Sequence, residues 1–180
     1  YIIDEAEPIE TFFGLREDLE RISLAQYFSE LIMTLVQEEE IAEEYLRLML
    51  NSLHFLSKGT MPVEQIKAIT ELRLMCIAGF MPNIIACDRC GEYETETMYF
   101  DIDNGIIYCE NCGSGQVLLP LDIGLVKAIR HIAFSEFDKI YSFRMEDYAL
   151  PDLTYITEKY LLSRLQRNFK TLDFYKEITK

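Results

Sequence analysis

The chain has 180 residues, a formal net charge of −14, and 49% hydrophobic and 12% aromatic side chains. Those values suit one or two globular domains with a sizeable core and exclude general disorder. No run reaches roughly eighteen uncharged apolar residues, and no basic stretch precedes an apolar one at the start, so neither a membrane span nor a signal peptide is expected. The charge is uneven: residues 1 to 50 hold 3 basic and 13 acidic side chains, whereas Tyr155 to Lys180 hold 6 basic and 3 acidic.

Tyr1 to Ile9 reads as a short strand ended by Pro8, without a partner strand. There is no starting methionine, so the chain reads as a piece of a longer protein. Leu15 to Leu19 begin something helical. From Ile22, the residues Ala25, Phe28, Leu31, Ile32 and Leu35 recur at helical spacing, with Glu30 and Gln37 off that face. Glu38-Glu39-Glu40 then favours a second helix start through the helix dipole. Ile41, Tyr45, Leu48, Met49, Ser52, Phe55 and Leu56 form its stripe, which stops at Lys58-Gly59. Glu38 to Glu44 is a solvated helix start or, on a functional reading, a docking surface for a basic partner.

Pro62 sets up a third helix at its first turn. From Leu72 to Phe80 nearly every side chain is apolar, which predicts burial on all sides toward Gly79 and the centre of a bundle. Cys76 falls in this run and reads as a small core residue. Pro82 ends the helix, and Asn83 to Ala86 lead into the main motif.

Cys87-Asp88-Arg89-Cys90-Gly91 and Cys109-Glu110-Asn111-Cys112-Gly113 together spell C-x2-C-x18-C-x2-C, with glycine after each pair. Two residues between cysteines let one tight turn aim both sulfurs at a single point, and the glycine allows a close backbone passage at positive φ. Between the pairs, Asp103-Asn104-Gly105 separates two β-prone runs, a hairpin signal that returns Cys109 beside Cys90. Four cysteines close a tetrahedral shell and leave no open position, which assigns one structural zinc to Cys87, Cys90, Cys109 and Cys112. Iron in the same cage, paired disulfides or redox-active pairs are the rivals. The spacing fits no thioredoxin-like motif, which needs one such pair near a βαβ pattern. Reduced cysteines and the missing signal peptide place the protein in the cytoplasm.

Gly113-Ser114-Gly115 releases the chain into Val117-Leu118-Leu119-Pro120. Asp122 caps a fourth helix through about Phe134, with Val126, Ile129 and Ile132 inward. Ser135 to Leu150 is less regular. Pro151-Asp152 opens a last helix with Leu153, Ile156, Tyr160, Leu161, Leu165 and Phe169 as its apolar set. Arg164, Arg167 and Lys170 lie nearby, either as an ordinary basic face on a terminal helix or as a site for phosphate or an acidic peptide.

The pattern is therefore mainly α: a bundle of about five helices with an inserted four-cysteine zinc ribbon built on a small β-hairpin. No P-loop, dinucleotide fingerprint or nucleophile elbow is present. A carboxylate di-metal bundle needs Glu three residues before His, and here Asn51 precedes His54 and Ala128 precedes His131. No enzyme activity is expected. The ribbon is acidic, with 7 acidic and 1 basic side chain from Cys87 to Gly113, the wrong sign for a nucleic-acid-reading finger.

Several stretches in order resemble the RecO family of bacterial DNA repair proteins. They are Ala25 to Leu31, Leu72-Arg73-Leu74, Ala78 to Pro82 just before the first cysteine pair, and Tyr160 to Leu172, which is similar to the family's C-terminal helix. The resemblance covers the later part of a family member, which ordinarily begins with an OB-fold domain. It implies that residues 1–13 are the end of that domain and a connector, and that 14–86 and 114–180 are two parts of a helical domain around the ribbon at 87–113. It also implies zinc on the four cysteines and a recombination mediator. Such a protein binds and anneals single-stranded DNA, mainly through the N-terminal domain, and with RecR helps load RecA onto strands coated by single-strand DNA-binding protein. The alternative is an unrelated zinc-stabilised interaction or regulatory module with no nucleic-acid role.

Overall fold

A computed structural model describes residues 4–37, 42–113 and 115–180. Five long helices carry the architecture: α1 (Leu19–Leu35), α2 (Glu43–Lys58), α3 (Val63–Ile77), α5 (Ile123–Phe134) and α6 (Leu150–Leu165). Two shorter ones are α4 (Glu110–Gly113) and α7 (Lys170–Ile178), and a small sheet is made of β1 (Thr97–Asp101), β2 (Ile106–Cys109) and β3 (Leu119–Asp122). No helix among the described residues is long and apolar enough to cross a membrane.

The helix boundaries follow local chemistry. The Asp18 carboxylate accepts the Glu20 N–H at 2.9 Å to start α1, and Asp122 accepts the Leu125 N–H at 2.8 Å to start α5. Gly59, at φ 63°, ends α2 in the left-handed conformation that glycine tolerates. Glu38 to Glu40 and Ile41, read as the start of the second helix, lie outside the described residues, as do Tyr1 to Ile3. The described part of the expected first strand, Asp4 to Ile9, is exposed and forms no strand. An isolated strand has no partner for its backbone groups, so water satisfies them instead.

The core runs continuously through α1, α2, α3, α5, α6 and α7 and includes Met98, Phe100 and Ile107 of the sheet. Its centre is α3, whose closest packing is against α6. The fully buried stretch of α3 begins earlier than its apolar run predicts: Gln65 to Leu72 are all buried, while Phe80 and Met81 are exposed. Four of those buried positions are polar, Gln65, Lys67, Thr70 and Glu71. Each has a partner. Gln65 donates to the Phe143 carbonyl at 2.8 Å, and Thr70 shares a 2.8 Å contact with Ser52, which also meets the Tyr141 hydroxyl at 2.8 Å.

Lys67 lies between two carboxylates, Glu71 at 2.7 Å and Glu158 at 2.9 Å. Glu71 also accepts from Tyr27 of α1 at 2.9 Å and from Thr157 of α6 at 2.8 Å, and Lys176 of α7 closes on Glu158. Burial opposes the charge on Lys67, but the two carboxylates outweigh it and raise its pKa above the usual 10.5.

The expected last helix is two. Gln166 takes φ 49° as the cap of α6, the chain turns, and α7 starts at Lys170. The break is stabilised by Phe169, which is 1% exposed and meets the edge of the Tyr27 ring at 5.9 Å. In the sheet, the expected β1–β2 hairpin has Met98 opposite Cys109 and Phe100 opposite Ile107. A third strand, β3, pairs on the other side of β1 with Thr97 opposite Asp122.

Replacing Lys67 by Ala leaves Glu71 enclosed without its cation and should cost about 3–5 kcal/mol of unfolding free energy in urea titration, with helical structure retained in water. Burial raises the pKa of Tyr27, Tyr141, Tyr160 and Tyr175, in the same direction as Lys67. A raised folded pKa means that the native state keeps protons which the unfolded chain releases from about pH 10 upward. Stability should therefore hold below about pH 10 and fall as pH rises beyond it. Phenolate absorbance from these four rings should appear together with unfolding and not before it.

Candidate metal centre and cationic corner

The two cysteine pairs meet. The four sulfurs all lie within 4.8 Å of one another, and Cys90 Sγ is 3.6 Å from Cys109 Sγ. A tetrahedral ion with metal–sulfur bonds of about 2.3 Å separates its sulfurs by roughly 3.8 Å, so the cluster fits one ion in a closed four-thiolate shell. Disulfide bonds, at about 2.05 Å, do not match, and the cysteines are free.

Each knuckle is shaped by its backbone. Around the first, the Gly91 N–H donates to the Cys87 carbonyl at 2.9 Å, the Cys87 N–H donates to Glu92 at 2.8 Å, and Gly91 sits at φ 77°. The second lies on α4, and there glycine serves a different purpose from the one expected. Gly113 does not have a positive φ; a Cβ at this position would lie 2.8 Å from Cβ of Tyr99, so the residue is required by close packing on β1. Arg89 ties the knuckles together by donating to the Cys112 carbonyl at 3.3 Å.

The thiols differ in a way that asks for a cation. Burial opposes ionisation of Cys87, but backbone groups of Cys109, Cys90 and Arg89 outweigh it and bring the thiol down to about 6. Burial and its cysteine neighbours push Cys112 up to about 12. Four adjacent thiols cannot all ionise unaided, and a dication removes that conflict. Cys76, outside the cluster, is raised to about 11 by burial and packs against the core, as an unreactive residue should.

The ribbon is joined to the helices by residues that spacing alone did not single out. Arg130 of α5 is buried and donates to the carbonyls of Ile84 at 2.7 Å, Ile85 at 2.9 Å and Tyr93 at 2.6 Å, with its guanidinium 4.2 Å from the centre of the Tyr93 ring. Those carbonyls lie just before and just after the first knuckle. On the other side, Tyr160 of α6 donates to the Phe80 carbonyl at 2.8 Å and Ser163 donates to Asp103 at 3.1 Å.

The three cations read as a binding site are not equivalent. Arg164 is partly buried over the Tyr160 ring and donates to the carbonyls of Ile102, at 3.2 Å, and Asp103, so it holds the β1–β2 turn. Arg167 and Lys170 are exposed at the corner between α6 and α7. Arg167 contacts Thr34 Oγ1 at 3.3 Å and lies 4.9 Å from the Phe169 ring centre. The histidines take no part in either site: His54 is exposed, and His131 meets the Lys139 carbonyl at 2.9 Å.

Comparison with known proteins agrees with this arrangement. Residues 16–173 match the family model described as Recombination protein O C terminal. The chain belongs to the RecO family. It is similar to DNA repair protein RecO of Acetivibrio thermocellus, with 30% identity over 181 residues that cover 100% of this chain and 72% of that protein. RecO of Caldicellulosiruptor bescii is 30% identical over 178 residues, covering 99% and 72% respectively. RecO of Alkaliphilus metalliredigens is 27% identical over 180 residues, covering 99% and 73%. Membership in the RecO family removes the alternative of an unrelated zinc-stabilised module.

Elemental analysis should find one metal ion per chain. Cys87→Ser or Cys109→Ser should lose it and open the ribbon, read as protease cleavage between residues 87 and 113, while the helical signal persists. Retention of a full equivalent of metal by both variants would contradict the four-cysteine assignment.

Proposed function

We propose that this chain is the scaffold and partner-binding part of a recombination mediator acting in DNA repair. On this reading the metal is a single structural zinc, the chain catalyses no reaction, and the protein works in the cytoplasm. The whole protein binds and anneals single strands and, with RecR, helps load RecA onto strands coated by single-strand DNA-binding protein. The observation that carries the reading is the joining of an acidic ribbon to an acidic helical core by buried arginine contacts, chiefly those of Arg130. A firm, negatively charged body suits protein docking better than phosphate binding, because phosphate contacts need clustered cations. Strand contact then falls mainly to the OB-fold domain that family members carry ahead of this part.

Arg167 and Lys170 are the positions proposed to touch phosphate or an acidic peptide. Arg164 supports that corner by fixing the hairpin turn against α6. RecR and the acidic, apolar tail of single-strand DNA-binding protein are the proposed protein partners.

Fluorescence anisotropy of a labelled single-stranded oligonucleotide tests the division of labour. The full-length protein should bind with strong salt dependence, and this 180-residue chain should bind far more weakly. Charge reversal at Arg167 and Lys170 in the full-length protein should lower the salt slope by about 1 to 2 if both touch phosphate. No contact of the full-length protein with single strands, RecR or single-strand DNA-binding protein would overturn the mediator reading.

A further inference from the structure

Access to the four sulfurs of the ribbon is uneven. Cys90 is exposed and Cys112 half-buried, whereas Cys87 and Cys109 are only 3% and 1% exposed. A bound dication keeps all four as thiolates, the form that an oxidant attacks, so a small oxidant arriving from solvent meets Cys90 first. The Cys90 sulfur is in contact with Cys109 Sγ at 3.6 Å, across the gap between the two knuckles. A disulfide of about 2.05 Å closes that gap after a movement of about 1.5 Å.

The knuckles are also held together by bonds that need no metal. The Asn83 N–H donates to the Gly105 carbonyl at 2.7 Å, the Asp88 N–H donates to the Ile107 carbonyl at 2.9 Å, and Arg89 reaches the Cys112 carbonyl at 3.3 Å. Each joins the chain around the first knuckle to the hairpin or to α4, so Cys90 stays beside Cys109 when an ion leaves. Arg130 fixes the first knuckle from the core side in the same way. Once Cys90 and Cys109 are joined, only Cys87 and Cys112 remain as donors, half of a closed shell.

We propose that the ribbon is a redox-sensitive switch in which peroxide joins Cys90 to Cys109 and releases the metal, while the fold of the ribbon persists. The proposal rests on the reading of the metal as a single structural zinc. The Cys90 sulfur takes one oxygen from hydrogen peroxide: the O–O bond breaks, Cys90 becomes a sulfenic acid, and hydroxide leaves and takes up a proton. The Cys109 sulfur then attacks that of Cys90; the S–S bond forms, the S–O bond breaks, and a second proton carries the oxygen away as water. Two electrons pass from the two sulfurs to peroxide, and Cys87 and Cys112 take up two protons as the zinc departs. Cys76, on α3, has no part in this.

The test treats the zinc-loaded 180-residue chain with hydrogen peroxide beside a zinc-binding dye, then blocks free thiols and maps the product by mass spectrometry. Cleavage after Arg89 separates Cys87 from Cys90, and cleavage after Glu110 separates Cys109 from Cys112, so every pairing is distinguishable. One equivalent of zinc should be released per chain as a Cys90–Cys109 cross-link appears, with the helical circular dichroism unchanged. Dithiothreitol with added zinc should restore both metal and thiols, and Cys76→Ala should respond like the parent. A chain that holds no metal before peroxide would overturn the zinc reading and the release step with it. A zinc-loaded chain that keeps its metal as peroxide is consumed would overturn the switch alone. So would cross-links confined within one knuckle, irreversible oxidation to sulfinic or sulfonic acid, or loss of the response in Cys76→Ala.

Discussion

Four helices depend on one buried amine. Lys67 is 1% exposed, so its charge must be met inside the protein, and both carboxylates that meet it are fixed in turn by other helices. Tyr27 from α1 and Thr157 from α6 hold Glu71; Lys176 from α7 holds Glu158. Apolar packing tolerates small slides of one helix over another, but a buried carboxylate left short of donors costs several kcal/mol. The cluster therefore specifies how α1, α3, α6 and α7 align, whatever its net contribution to stability. Its charges balance, two cations against two carboxylates, which is the condition under which such a group can remain in a core.

The same logic, transferred from side chains to backbone, attaches the ribbon. The loops around Cys87 must leave their regular elements to form a knuckle, which strands the carbonyls of Ile84, Ile85 and Tyr93 near the core. Arg130 meets all three with one guanidinium, the only side chain with enough fixed donors to do so. The four-cysteine cluster and the core are coupled through these bonds: the knuckle that offers Cys87 and Cys90 is the one that Arg130 holds in shape. Asp103 at the hairpin turn is held from α6 by Ser163 and Arg164, so the ribbon is braced at a second point, while Tyr160 holds the Phe80 carbonyl where the chain leaves α3.

How much of this could be read from sequence depended on whether the signal was local. The caps at Asp18 and Asp122, the stop at Gly59 and the cysteine spacing are short-range chemistry and could be read directly. Lys67 and Glu71 could not be distinguished from solvated charges, because what makes them core residues is the arrival of α6 and α7 some ninety residues later. The apolar run from Leu72 looked like the most buried part of α3 because hydrophobicity stands for burial only where polar groups lack partners. Pro120 hid β3, since proline is unwelcome inside a sheet, but β3 is an edge strand and Pro120 faces solvent. The break between α6 and α7 needs Gln166 in a left-handed conformation, a choice made by the pocket for Phe169 and not by any glycine or proline in the chain. Arg164 read as one of three similar surface cations, and only the hairpin turn beneath it separates it from Arg167 and Lys170.

The ribbon's electrostatics bear on what such an insertion is for. It has seven acidic residues and one basic one, and a dication held by four thiolates leaves the centre itself negative. The basic residue, Arg89, is spent within the ribbon, on the Cys112 carbonyl and over the Tyr108 ring at 5.6 Å. A zinc module that reads nucleic acid presents clustered cations outward; this ribbon has a single exposed cation, already bonded to the Cys112 carbonyl, among seven carboxylates. The ribbon is therefore better understood as a strut: it links the end of α3 to the start of α5, braces α6 through the hairpin, and keeps phosphate away from that side of the molecule. Arg167 and Lys170, by contrast, face solvent at the α6–α7 corner.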